Sequence, residues 1–127
     1  MEADQILVVD DDEDIRETVA EALSLDGFRV VMARNGREGM ALLVDGLRPC
    51  LILLDMMMPV MNGWTFASQV AKDPRLCALP LCIFSATGSD PDHPIAGNVV
   101  AAIKKPVRLD KLLEIVKQHG CRTGASR

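Results

Sequence analysis

The sequence predicts an α/β domain: a doubly wound, five-stranded parallel sheet with helices on both faces. Three observations carry this. Five short apolar runs, at residues 6–9, 28–32, 51–54, 81–84 and 99–103, alternate with stretches of helical period. Runs such as Ile6-Leu7-Val8-Val9 and Leu51-Ile52-Leu53-Leu54 are continuously apolar, the pattern of strands buried on both faces. The 127 residues, 49% of them hydrophobic, can build one core and leave little room for a second domain.

Each element follows from its residues. The first run ends in acid, and Asp12-Glu13-Asp14 suits a helix N-terminus by capping and by dipole. Ile15, Val19, Ala22 and Leu23 then recur at helical spacing until Asp26-Gly27 stops them. After the second run, Asn35-Gly36 turns the chain into a helix carrying Met40, Leu43 and Val44, which ends near Asp45-Gly46. The third run ends in Asp55. A loop from Met58-Pro59 to Asn62-Gly63 precedes a helix over 64–72, stopped by Asp73-Pro74. Pro80 opens the fourth strand, where its missing N–H is tolerated. Leu109, Leu112, Leu113 and Val116 give a last amphipathic helix. The folded domain is expected over 1–120, with a small, polar, frayed tail at 121–127. Between the fourth and fifth strands, Gly88, Pro91, Pro94 and Gly97 oppose a helix, so the one expected there should be short, irregular or absent.

Composition excludes several classes. A net charge of −4 argues against nonspecific binding to nucleic acid or anionic membranes. No apolar run approaches the roughly 20 residues that span a bilayer. The polar start Met1-Glu2-Ala3-Asp4-Gln5 does not read as a secretory signal, so a cytoplasmic protein is expected. Four cysteines, Cys50, Cys77, Cys82 and Cys121, form no C-x-x-C pair and read as reduced thiols. His93 and His119 lie far in sequence from any cysteine cluster, which leaves zinc or Cys–His chemistry weakly supported.

In an open α/β sheet, ligands sit beyond the carboxyl ends of the strands. After the first strand come Asp10, Asp11 and Asp12, and after the third comes Asp55. The fourth ends in Ser85 and the fifth in Lys104-Lys105. Any one of these can simply mark where a strand meets water. Gathered on one edge, they make a site. Adjacent carboxylates raise each other's pKa and need a cation to stay ionised together. A hard divalent ion such as Mg²⁺ takes one or two carboxylates, waters and a phosphate oxygen. Asp55 can act as a nucleophile, Lys105 can pair with a phosphoryl oxygen, and Ser85 can donate to another.

Val8-Val9-Asp10-Asp11, Leu53-Leu54-Asp55-Met56-Met57-Met58-Pro59, Asn62-Gly63, Ser85-Ala86 and Lys105-Pro106 together resemble the receiver-domain signatures of bacterial response regulators. The resemblance spans about residues 5–119. It implies a flavodoxin-like sheet of order 2-1-3-4-5 and a phosphoacceptor signalling domain, not a turnover enzyme. By that resemblance Asp55 accepts phosphate from a phosphohistidine of a sensor histidine kinase or phosphotransfer protein. Mg²⁺ is held by Asp11, by Asp10 largely through water, by Asp55 and by the backbone carbonyl of Met57. Ser85 is the switch hydroxyl, and Lys105 binds the phosphate beside a cis bond to Pro106. Asp12 is assigned to capping. The output protein is unknown, and a monomer or weak dimer is expected.

Three positions depart from the family pattern. Ala102 stands where an aromatic residue is usual, Val107 where phenylalanine is common, and residues 88–98 replace a regular helix. These favour an alternative, a docking module with the same fold that does not depend on phosphorylation. An aspartyl-nucleophile phosphatase is disfavoured, because Met57 stands where its general acid would be. A flavin carrier is disfavoured because Asp10-Asp11-Asp12 would repel a phosphate. Met56-Met57-Met58 reads as packing and loop, not a soft-metal box. Trp64 reads as a helix-start aromatic packing beside the site, and Lys104 as a solvated neighbour.

Overall fold

The computed structural model describes residues 5–85 and 95–119. In chain order the elements are β1 (Gln5–Val9), α1 (Glu13–Leu25), β2 (Arg29–Ala33), α2 (Gly36–Val44), β3 (Leu51–Asp55), α3 (Gly63–Lys72), β4 (Pro80–Ser85), β5 (Asn98–Lys104) and α4 (Leu109–Gln118). The strands form one parallel sheet in the order β2-β1-β3-β4-β5, as the sequence predicts.

Side chains alternate across the sheet and build a core on each face. Leu7, Val9, Ile52 and Leu54 pack with Phe66, Ala67 and Val70 of α3 and Leu43 of α2. Ile6, Val8, Leu51 and Leu53 pack with Val19 and Leu23 of α1 and Leu112 and Val116 of α4. All five residues of β3 are buried, which is why its run reads as unbroken hydrophobe up to Asp55.

Boundaries move where long-range pairing overrides local pattern. β2 starts at Arg29, because the Phe28 N–H is taken by the Leu23 carbonyl to close α1, with Gly27 at φ 95°. β5 runs wider than expected because Asn98 and Lys104 pair with Pro80 and Ser85, with a register shift at Leu81/Cys82. Residues 95–97 are not helical. The rest of the expected irregular helix lies outside the described residues, as does the 121–127 tail. Cys50 is disulfide-bonded, which corrects the expectation of a reduced thiol there; Cys77 and Cys82 are free.

Two local devices aim the chain at the edge where the strands end. Asp12 caps α1, its side chain accepting from the N–H groups of Asp14 and Ile15. Gly63 lets α3 start against β3: its N–H donates to the Met56 carbonyl at 3.0 Å. A Cβ there would stand 2.7 Å from Met56 Cα and 3.0 Å from the Asp55 carbonyl oxygen.

Two stability predictions follow from these contacts. Asp12→Ala should cost about 1 kcal/mol, the usual worth of a lost cap. Gly63→Ala should also destabilise, by about 1–2 kcal/mol, because backbone overpacking outweighs the helix propensity that alanine adds. Urea denaturation of the two variants measures both. A Gly63→Ala protein as stable as the parent would mean the contact relaxes freely.

Candidate functional site

β1 and β3 are neighbours in the sheet, so their carboxyl ends place Asp10 and Asp55 side by side. Asp10 is fully buried. Its N–H extends the ladder to the Ala33 carbonyl at 3.2 Å, and its Oδ1 accepts from the Asp12 N–H at 2.9 Å. Its Oδ2 is buried with no hydrogen-bond partner. Asp11 is exposed. The carboxylates of Asp10, Asp11 and Asp55 each bring an oxygen within 4.8 Å of the others.

Asp55 is 2% exposed. Its Oδ1 accepts from Lys105 Nζ at 2.9 Å and from the Met57 N–H at 3.3 Å. Lys105 follows β5 and precedes a cis bond to Pro106. Its own N–H donates to the Ser85 carbonyl at 2.8 Å, joining the ends of β4 and β5 beneath the cluster. Ser85 is buried at that end. Met57 sits on the loop after Asp55 with its side chain 68% exposed, while Met56 and Met58 are buried in packing. Trp64 is half-buried against the α2–α3 core. Lys104 is exposed. Asp12 is occupied as a cap, as expected.

Among the described residues charge in this cluster is unbalanced: three carboxylates meet one ammonium. Burial, followed by the charges of Asp55 and Asp11, pushes Asp10 up from 3.8 to about 6, against the lowering effects of the Asp12 N–H and Lys105. Asp11 is also raised, by burial and then by the Asp55 carboxylate. Burial alone would lower Lys105, but its hydrogen bond to Asp55 and the three carboxylate charges prevail and raise it. The unpartnered Asp10 Oδ2 and the all-oxygen donor set fit a hard divalent cation.

One residue here escaped the sequence reading. Arg16, on the first turn of α1, donates from Nη1 to the main-chain oxygen of Asp10 at 3.0 Å. Its only sequence signal is a cation near a helix N-terminus, where the dipole disfavours it.

The raised Asp10 predicts a pH dependence. A carboxyl whose folded pKa exceeds its unfolded value costs nothing below about pH 3.8, and destabilises increasingly as pH rises through about 6. The full cost is on the order of 1–3 kcal/mol. In metal-free buffer Asp10→Asn should therefore be more stable than the parent at pH 7.5, and the gain should vanish near pH 4. The amide keeps an oxygen for the Asp12 N–H. Chemical denaturation across that pH range checks the sign.

The sequence model of the response regulator receiver domain family matches residues 6–117. The phosphate regulon transcriptional regulatory protein PhoB of Pseudomonas aeruginosa is 36% identical over 122 residues, covering 94% of this chain and 52% of that protein. The sensor histidine kinase CheAY of Helicobacter pylori is 33% identical over 116 residues, covering 89% of this chain and 14% of that protein. The chain thus spans about half, or less, of the length of such relatives. Among solved structures, the signal receiver domain of a histidine kinase from Syntrophus aciditrophicus superposes with TM-score 0.82 at 29% identity, covering 92% of this chain and 89% of that one. A CheY-like receiver domain protein from Methanospirillum hungatei gives 0.75 at 32% identity, covering 87% and 89%. With its family match over most of its length, its sheet order and its acidic strand-end cluster, the chain belongs to the response regulator receiver domains, the signalling domains of two-component systems.

Proposed function

We propose that the chain accepts a phosphoryl group on Asp55 from a phosphohistidine of a sensor kinase or phosphotransfer protein, and thereby switches its contacts with an output protein. The observation that carries this is the buried Asp55, held 2.9 Å from Lys105 Nζ beside two further carboxylates. An Asp55 oxygen attacks phosphorus, the phosphorus–nitrogen bond breaks, and the donor imidazole takes the electron pair. Positioning and charge stabilisation supply most of such a reaction. Lys105, already on Asp55, is poised to take a phosphoryl oxygen, and Ser85 to donate a hydrogen bond to another.

Asp11 would be the main side-chain ligand for Mg²⁺, with Asp10 acting largely through water and Asp55 and the Met57 carbonyl completing the set. When bound, Mg²⁺ neutralises the acidic cluster and stabilises the phosphoryl oxygens. Later hydrolysis returns the carboxylate, so the chain modifies itself and is not a turnover enzyme. Among the described residues no helix is long and apolar enough to cross a membrane.

The exposed Ala102 on β5 favours a second reading, a docking module independent of phosphate, since no ring stands there to report on the site. Acetyl phosphate with Mg²⁺ separates the two. Mass spectrometry should find one added phosphoryl group on the parent and none on Asp55→Asn. Asp11→Ala should lose most Mg²⁺ affinity and most labelling, whereas Asp12→Ala should keep both. An unlabelled parent would favour the docking module, and a fully labelled Asp55→Asn would sink the assignment of the acceptor.

A further inference from the structure

Arg16 sits where helix electrostatics oppose it. α1 begins at Glu13, and the positive end of its dipole suits Glu13 and Asp14 but not a cation in the same turn. Side chains on a helix tilt toward its N-terminus. Arg16 therefore reaches back six residues, and its guanidinium donates to the Asp10 carbonyl at 3.0 Å in a partly buried position. Ordering so long a side chain costs up to about 2 kcal/mol of rotamer freedom. The contact must act on something local.

That carbonyl belongs to the peptide joining Asp10 to Asp11. Asp10 is otherwise held twice, by its N–H on Ala33 and by its Oδ1 on the Asp12 N–H. Asp11 is exposed, and its side chain starts from the plane of this one peptide. Arg16 fixes that plane without consuming the acid, for Asp10 Oδ2 keeps no hydrogen-bond partner.

We infer that Arg16 is a positioning residue for the cation site, clamping the Asp10–Asp11 peptide so that both carboxylates converge with Asp55. This rests on the part of the proposed function that reads the cluster as a Mg²⁺ site. Two effects of Arg16 on Mg²⁺ have opposite signs. As a bare positive charge it repels the ion, so its removal should tighten binding. As a clamp it organises the ligands, so its removal should weaken binding.

The test is Mg²⁺ titration calorimetry on the full chain, with amide hydrogen exchange at Asp11 and Asp12 in EDTA. Arg16→Met should weaken Mg²⁺ binding about tenfold, the lower end of what outer-shell partners are worth, and speed exchange at Asp12. Arg16→Lys keeps a charge and a donor and should recover most of the affinity. Binding in Arg16→Met as tight as in the parent, or tighter, overturns the inference. So does an Arg16→Lys protein as weak as Arg16→Met, or a parent that binds no Mg²⁺. If Arg16→Met does not fold, Arg16→Ala, which has no donor and suits the helix, is read in its place with the same outcomes. Neither readout requires phosphorylation. A parent that binds Mg²⁺ but takes no phosphoryl group removes the phosphoacceptor reading and leaves the clamp standing.

Discussion

A buried carboxylate at the end of the central strand is the constraint on which the rest of the structure depends. Asp55 is 2% exposed, and an ionised carboxyl cannot stay there without compensation. The compensation comes from one distant and one local group: Lys105 Nζ from fifty residues away, and the Met57 N–H from the loop that follows. The sheet order brings Lys105 within reach, because β4 lies between β3 and β5 and the Ser85 carbonyl holds the Lys105 N–H. The same order makes β1 and β3 neighbours, so Asp10 and Asp11 crowd the site that Lys105 relieves. One ammonium cannot balance three carboxylates. The site is electrostatically unfinished, and its protons are held accordingly, with Asp10 pushed up to about 6.

An unfinished site weakens the metal-free fold and prepares it for a ligand. Groups arranged for function are often set against stability, and here the conflict is local. The hydrophobic cores on the two faces of the sheet carry the fold, while the strand-end edge carries like charges. A cation seated among those oxygens would remove the repulsion and so stabilise the folded state by mass action. Gly63 and the Asp12 cap hold the backbone close on either side of the cluster, so the carboxylates do not relieve their repulsion by drifting apart.

Much of this was legible in the residues. β3 reads as a strand because it is buried on both faces, and Asp55 stands out because it ends that run. Asp12 could be separated from Asp10 and Asp11 because helix capping demands a short oxygen-bearing side chain just there. The strand limits were less legible. Phe28 looks like strand but closes α1, and Asn98 and Lys104, polar residues flanking the apolar run 99–103, pair with β4. Those outcomes depend on partners far away in sequence. Arg16 was invisible for the same reason: its partner is a main-chain oxygen, which has no letter in the sequence. The Gly63 contact depends on a clearance of under 3 Å to Met56, which no periodicity encodes. Cys50 could not be paired from spacing alone.

How a change at Asp55 leaves the site is limited by what touches it. Ala102 is exposed on β5, so the ring that is usual at this position in the family is absent and relays nothing. Lys105 is the better candidate. Its side chain is bonded to Asp55 and its main chain to Ser85, so one residue couples the carboxylate to the ends of two strands. A change of charge on Asp55 would act first on Lys105, whose backbone N–H is held by the end of β4. Beyond Pro106 the same segment continues into Val107 and Leu109, which pack on the α1–α4 core. An open pocket of about 310 Å³ lies between these residues and Ile15, Thr18 and Val19 of α1, so the segment that starts at Lys105 is only partly packed against the helix.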